Sequence, residues 1–179
     1  MIVSKAAKRY ARAFFDLAQE KGSTDIVADD FAGIAKAIDK SPELDSFLKA
    51  PLISTEKRVE ALKAMFESKI NKLSLEFLLF LERKSRLDIT QDTLIEFAEL
   101  HDVLKNVQRV SITSAFEMDN AQIESIKKRL QEKLNKNIVA EVKIEPELIG
   151  GFKVKVGDQV NDLSVATQLS RLKQSIVKA

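Results

Sequence analysis

Through the first hundred residues, hydrophobic side chains recur at intervals of three and four, the spacing typical of helices that pack against one another. Glycine is rare there, with only Gly22 and Gly33. The pattern predicts helices over approximately residues 3–21, 24–40, 42–50, 54–66, 72–85 and 88–105. Because the connections between them are short, we expect residues 1–105 to form an all-α six-helix bundle.

The first and fifth predicted helices carry more hydrophobic surface than a simple amphipathic helix. The fifth is hydrophobic around nearly its whole circumference, so it is either enclosed by its neighbours or keeps one face for a partner. The first has a wide hydrophobic arc. We expect the two helices to bind a partner, with enclosure inside the bundle as the alternative. The expected contact residues are Tyr10, Ala11, Phe14, Phe15, Phe77, Leu78 and Leu81.

Near residue 105 the period of the hydrophobic pattern changes from 3.6 to 2, which indicates strands. Predicted strands at 109–114, 138–145 and 152–156 are interleaved with a helix that follows a capping-box pattern, Asp119 and Gln122. We therefore expect a small α+β domain over residues 106–179. A domain of this size lies near the lower limit for independent stability.

The last thirty residues combine turn signals with a final amphipathic helix. Glycine tolerates positive φ, so Gly150, Gly151 and the pair Gly157-Asp158 predict turns, the last of them a two-residue hairpin. Asp162 or Ser164 is expected to cap the helix. Its hydrophobic stripe consists of Val165, Leu169, Leu172 and Ile176, and we expect Leu169→Asp to unfold this domain.

Composition and motifs give no sign of an active site. The 179-residue chain has a net charge of +2 and no cysteine, so thiolate nucleophiles and cysteine-ligated metals are excluded. The only histidine, His101, lacks a neighbouring carboxylate on its helix face, because adjacent Asp102 points elsewhere. The double glycine at 150–151 is not a phosphate-binding loop, because no lysine-serine or lysine-threonine pair follows it and it precedes a predicted strand rather than a helix. We predict no catalytic residues, no metal site and no cofactor.

The sequence alone leaves two other kinds of binding partner to consider. Lys5, Lys8, Arg9 and Arg12 form a basic face on the first helix, which could meet an anionic lipid or an acidic partner, although such a cluster is usually a solvated helix face. With one tyrosine, no tryptophan and no interleaving of aromatic with basic residues, the chain lacks the pattern typical of surfaces that stack on bases. We expect no nucleic-acid binding, with a free-standing helical adaptor or RNA-binding protein as the alternative function.

Four segments, in the correct order, resemble one known family. They are RYARAFFDLAQE from Arg9, SPELDSFLKAPLISTEKR from Ser41 with its lysine Lys57, LEFLLFLERKSRL from Leu75, and LIGGFKVKVGDQVNDLSVATQLSRL from Leu148. On these segments the chain is similar to the delta subunit of the F-type ATP synthase and to the mitochondrial oligomycin-sensitivity-conferring protein. It departs from the family at Ser85, where asparagine is usual, and in lacking a glycine often found between the domains.

The resemblance implies a stator subunit without catalysis of its own. The N-terminal bundle of such a subunit grips the N-terminal helices of alpha subunits, and its C-terminal domain holds the b subunits of the peripheral stalk, here through the stripe that begins at Val165. One copy would belong to a large hetero-oligomeric complex, attached peripherally to the cytoplasmic side of a cell inner membrane without direct insertion. The start at Met1 favours a bacterial rather than an organellar protein.

Overall fold

The structure, a computed structural model, describes residues 4–50, 53–157 and 159–169. The chain divides into two compact units, Met1–His101 and Asp102–Ala179. The first is helical, and the second is built around a small mixed sheet. This confirms a helical N-terminal region followed by a small α+β domain.

Within the described residues, the helical unit contains six α-helices, which agree closely with the periodicity of the sequence. They are α1 (Lys5–Glu20), α2 (Thr24–Lys40), α3 (Pro42–Lys49), α4 (Thr55–Phe66), α5 (Lys72–Arg83) and α6 (Thr90–Leu104). A short 3-10 turn, Leu87–Ile89, precedes α6 and occupies what the sequence predicted as the first turn of that helix.

Local capping fixes several of these helix ends. The Ser4 hydroxyl accepts a hydrogen bond from the Ala7 N–H at 3.1 Å and begins α1. The Ser41 hydroxyl accepts from the Leu44 N–H at 3.3 Å, and Pro42 occupies the first turn of α3, where its missing N–H removes no helical bond. Gly22, at φ +62°, follows the end of α1 as predicted.

Four phenylalanines lie at the centre of the helical unit. Phe14 of α1, Phe31 of α2, Phe77 of α5 and Phe97 of α6 are all buried, and five of their six ring pairs have centroids 4.0 to 5.9 Å apart. Aromatic pairs at these distances stabilise the fold by more than the burial of their hydrophobic area alone. The cluster joins the first two helices of the unit to its last two.

A buried ion pair links α4 to α5. The Arg58 guanidinium donates from Nη1 to Glu82 Oε2 at 3.2 Å, and the two side chains are only 11% and 2% exposed. Among the described residues, the buried Arg58 Nε has no hydrogen-bond partner. Because both charges are removed from water, removal of either side chain would leave the other as an uncompensated buried charge.

The described part of the second unit contains a four-stranded sheet, one helix between its first two strands and a short helical segment over 165–169. Its elements are β1 (Val107–Ser114), α7 (Asn120–Leu134), β2 (Asn137–Ile144), β3 (Phe152–Val156) and β4 (Gln159–Asp162). The strand order is β2-β1-β3-β4. β1 and β2 are parallel and are joined through α7, whereas β3 is antiparallel to both β1 and β4.

The core of the second unit is thin. Its core cluster has four buried hydrophobic residues on one face of the sheet, Val110, Ile112, Ile138 and Val154, and Ala115 and Leu148 are buried outside that cluster. Residues Ile126, Leu130 and Leu134 of α7 pack against this face but stay half-buried, and no residue of α7 is fully buried. The predicted capping box is present, since the Gln122 N–H donates to Asp119 Oδ1 at 2.7 Å and the Asp119 N–H to Gln122 Oε1 at 3.2 Å.

Candidate partner-binding surfaces

A hydrophobic groove of about 630 Å³ opens between α1 and α5. The two helices run antiparallel along it, because Tyr10 contacts Phe80 while Phe14, one turn later in α1, contacts Phe77. The groove is lined by Arg9, Tyr10, Ala13, Phe14, Leu17, Lys21, Leu73, Glu76, Phe77 and Phe80. A groove between two helices, lined mainly by aliphatic and aromatic side chains, suits the hydrophobic face of a third helix.

Aromatic rings form the floor of this groove. The Phe14 and Phe77 rings stack with centroids 4.0 Å apart and an interplanar angle of 20°, and both belong to the buried phenylalanine cluster. The half-buried Tyr10 and Phe80 rings meet edge to face at 6.0 Å. The floor is therefore continuous with the close-packed core, which makes the groove a preformed feature of the helical unit.

The rim of the groove is charged. Arg9 and Lys21 lie on the α1 side and Glu76 on the α5 side, all three exposed. Lys72 of α5 approaches Glu76, with Nζ and Oε1 4.0 Å apart. At the far end of α5, the Lys84 ammonium lies 5.8 Å from the centre of the Phe80 ring.

The second candidate surface begins where β4 ends. The Ser164 N–H donates to Asp162 Oδ1 at 2.9 Å, the Thr167 hydroxyl donates to Asp162 Oδ2 at 2.9 Å, and the Thr167 N–H donates to Ser164 Oγ at 3.3 Å. Ser164 is thus the buried cap of a helical segment over 165–169, and Asp162 supports it from the strand. Hydrogen bonding by the Ser164 hydroxyl and N–H lowers the pKa of Asp162 to about 2, with smaller contributions from Thr167 and Lys153.

The double glycine holds this helical segment against the sheet. Gly151 has φ +75°, and a Cβ added there would lie 2.5 Å from the Leu163 carbonyl oxygen. The Gly150 carbonyl accepts a hydrogen bond from the Val165 N–H at 2.9 Å. The predicted turn is therefore also a site of close backbone contact, which only glycine permits at position 151.

Comparison with known proteins decides the family. The sequence profile of the family described as "ATP synthase delta (OSCP) subunit" matches residues 6–176. The chain is 35% identical to the ATP synthase subunit delta of Acetivibrio thermocellus, covering 95% of this chain and 96% of the relative. It is 34% identical to the subunit delta of Geobacter metallireducens, covering 99% of both.

The chain belongs to the ATP synthase delta (OSCP) subunit family. As a member of this family it is a non-catalytic, structural subunit of the F-type ATP synthase, a stator component linked to the peripheral stalk. The fold agrees with that assignment. A chain in the mitochondrial ATP synthase hexamer of Toxoplasma gondii superposes with a TM-score of 0.77 at 21% identity, over 97% of this chain and 98% of the other.

Charged residues elsewhere are paired in ways that serve structure. His101 Nε2 and Asp25 Oδ1 are 2.8 Å apart and join the end of α6 to the start of α2. Asp102 instead accepts two hydrogen bonds from the Arg109 guanidinium, which raises the pKa of Arg109. Among the described residues, no cluster of His, Asp and Glu side chains could hold a metal ion, and no helix is both long and hydrophobic enough to cross a bilayer.

The structure divides the residues that the sequence assigned to the α1–α5 surface. Tyr10, Phe14 and Phe77 line the groove. Phe14 and Phe77 do so as buried residues of its floor. The other four are buried in the core and do not line the groove: Ala11, Phe15, Leu78 and Leu81. For these four, enclosure within the helical unit replaces the predicted exposed surface.

Several groove residues were missed by the sequence interpretation, namely the hydrophobic Ala13, Leu17, Leu73 and Phe80 and the charged Lys21 and Glu76. Ala13, Leu17 and Phe80 all lie at the edges of the hydrophobic arcs of α1 and α5, and Leu17 is 39% exposed. The centre of each arc faces the core, so the exposed hydrophobic surface of the groove comes mostly from the edges. The helical spacing did identify the two hydrophobic arcs, but the predicted partner contacts lay mostly at the centres of the arcs rather than at their edges.

The C-terminal stripe is only partly described. Val165 and Leu169 are 38% and 54% exposed, so they are surface residues. This corrects the expectation that Leu169→Asp unfolds the domain, because a half-exposed side chain contributes little to the core. Leu172 and Ile176 lie outside the described residues, as does Asp158 of the predicted hairpin turn, whose partner Gly157 has φ +58°.

Proposed function

We propose that the chain connects the alpha subunits of the catalytic head to the b subunits of the peripheral stalk, as one copy in the complex. Residues 1–105, as the six-helix bundle of the family, bind the N-terminal helix of an alpha subunit. Residues 106–179 bind the b subunits. Neither contact involves nucleic acid or insertion into a membrane, and the chain is held at the cytoplasmic side of a bacterial inner membrane through the complex.

The preformed groove between α1 and α5 carries the first half of this proposal. Its aromatic floor is fixed by the buried phenylalanine cluster, while Tyr10, Leu17 and Phe80 keep partial exposure. An amphipathic helix laid in such a groove buries its hydrophobic face without rearranging the protein. A stator link must resist torque, and a contact with a rigid, close-packed wall does so with little deformation.

Filling the groove tests this half. Ala13 is exposed on α1 within the groove, so Ala13→Trp places a large ring where the partner helix would lie. Titration calorimetry of the full chain with a synthetic peptide of the alpha N-terminus should show affinity weakened at least tenfold, about 1.4 kcal/mol. Ala32→Trp, on an exposed position of α2 outside the groove, is the matched control. Equal affinities for the two variants would contradict the groove assignment.

The exposed residues of the C-terminal helical segment support the second half. Val165 and Leu169 project from a segment whose start is anchored by Ser164 and by the Gly150 carbonyl. An anchored helix with exposed hydrophobic side chains provides a positioned surface for a second helix. Coverage by the stalk helix would also add buried area to a unit whose own core is thin.

A pair of neighbouring substitutions tests the stalk contact. Leu169→Asp should leave the full chain folded but abolish capture of a b-subunit fragment containing its C-terminal helix. Gln168→Asp adds the same charge at the adjacent exposed position and should retain capture. Binding of the alpha peptide should be unchanged in both variants. Undiminished capture of the b fragment by Leu169→Asp would refute this division of labour, as would loss of both binding activities together.

A further inference from the structure

Four of the basic side chains on α1 and at its C-terminal end form two pairs that differ in their partners. Lys8 approaches Glu96, with Nζ and Oε2 3.9 Å apart, and Arg12 approaches Asp16, with Nε and Oδ1 3.3 Å apart. Arg9 and Lys21 instead line the groove, and within the described part of the chain neither has a carboxylate at ion-pair distance. The groove therefore carries two positive charges that no described carboxylate compensates.

These two charges lie at opposite ends of one ridge. Arg9, Ala13, Leu17 and Lys21 follow one another at intervals of four residues, the spacing of a ridge on a helix surface. The helical rise places the two ends about 18 Å apart, or about three turns. The ridge is charged at both ends and hydrophobic in the middle.

The opposite wall differs in charge. Glu76 of α5 already has Lys72 close by, and no second acidic residue lines the groove among the described residues. Ala13, in the middle of the α1 ridge, has the smallest side chain along it, which lets the backbone of a partner come close. Complementarity therefore calls for a helix whose negative charges lie on the side that faces α1.

We infer that the groove recognises its helix through two acidic side chains spaced about three turns apart, which pair with Arg9 and Lys21 while small or hydrophobic residues between them cover Ala13 and Leu17. The inference rests on the proposed function, in which the N-terminal helix of the alpha subunit is the occupant. Hydrophobic burial supplies affinity for any amphipathic helix. The two terminal charge pairs select the register and the direction of the bound helix.

Two double variants with the same charge change test this recognition. Arg9→Gln with Lys21→Gln removes both groove charges, whereas Lys8→Gln with Arg12→Gln removes two charges of α1 outside the groove. The full chain and each variant are titrated calorimetrically with the alpha N-terminal peptide at low and at high salt. We expect the groove variant to bind roughly fivefold more weakly at low salt and the control to stay within about twofold of the native chain.

Salt and the peptide sequence provide the second readout. The difference between the native chain and the groove variant should shrink as salt screens the pairs. Replacing the two acidic residues of the peptide by glutamine should weaken binding to the native chain but not to the groove variant, as a double-mutant cycle requires. Circular dichroism and the thermal midpoint should be unchanged, since all four side chains are exposed.

The outcomes separate the inference from the function on which it rests. If the native chain does not bind the peptide at all, the proposed function of the helical unit fails. If the native chain binds but the groove variant and the control are equally affected, charge recognition by Arg9 and Lys21 is wrong while the groove assignment stands. Tight binding of an alpha peptide with no acidic pair at this spacing would also overturn the inference.

Discussion

The two units of the chain reach stability in different ways. The helical unit encloses four phenylalanine rings from four helices and a buried ion pair, whereas the helix of the sheet unit contains no fully buried residue. One unit therefore has a core thick enough to present a preformed groove. The other has a sheet covered on one face by α7, whose hydrophobic residues stay half-buried. We expect such a unit to become more ordered when a partner covers its exposed hydrophobic surface.

The sharpest test of this contrast removes the centre of the larger core. Phe97→Ala deletes a fully buried ring that contacts Phe14, Phe15 and Phe31, and should destabilise the helical unit by about 3–5 kcal/mol. Hydrogen exchange followed by mass spectrometry should show faster exchange in α1, α2, α5 and α6 while β1 to β4 keep native protection. Equal loss of protection in the sheet would mean that the units are not independent.

Breaking the buried ion pair should have the next largest effect. Glu82→Ala leaves the Arg58 charge buried without its carboxylate, and removal of one partner of such a pair typically costs about 3–5 kcal/mol, here at the lower end because Arg58 keeps slight exposure. Urea unfolding monitored by circular dichroism measures the loss. The double replacement Arg58→Met with Glu82→Leu should recover most of the lost stability, because no unpaired charge remains buried. If it does not, the pair stabilises the fold by more than the mutual neutralisation of its two charges.

In the sheet unit, a single added methyl group should have a local effect. Gly151→Ala places a Cβ against the Leu163 carbonyl oxygen at a positive φ, so we expect a destabilisation of about 1–3 kcal/mol confined to that unit. Gly33→Ala is the matched control, because Gly33 lies within α2 with open space around its Cα and should be neutral or slightly stabilising. Exchange rates of the 152–169 segment distinguish the two.

The smallest expected effect depends on pH. The pKa of Asp162 is lowered in the folded chain to about 2 from an ordinary value of 3.8, so its charged form favours the folded state. This contribution is fully present above about pH 4 and is lost as the pH falls towards 2. Asp162→Asn removes the titration, so the protection of residues 163–169 against exchange should differ between native chain and variant at pH 5 and converge near pH 2. A constant difference across that range would contradict the role given to Asp162.

Local signals explain why so much of the architecture could be predicted. The ends of α1 and α3, the capping box of α7 and the change of period near residue 105 all depend on neighbours in sequence. Contacts between distant residues left no such signal. Arg58 and Glu82 are 24 residues apart, and His101 and Asp25 are 76 apart, so neither pairing could be read from helical spacing.

The α1–α5 surface depends both on local helical spacing and on contacts between residues distant in sequence. Spacing identifies which helices have excess hydrophobic surface, but packing decides which part of each arc is enclosed. Phe15 and Leu78 went to the core and Ala13 and Leu17 to the groove, although all four belong to the same arcs. The resemblance identified the family, and only the coordinates of the side chains located the groove.

The phenylalanine cluster has a consequence for synthesis of the chain. Phe14 contacts Phe97, 83 positions later, so the core of the helical unit cannot close until nearly all of that unit has left the ribosome. At roughly 5–20 residues per second, the hydrophobic arc of α1 waits several seconds without its native neighbours. During that interval the same arc that later forms the core and the groove is available to any hydrophobic surface, and we expect nascent chains shorter than about 97 residues to depend on chaperones that shield such helices.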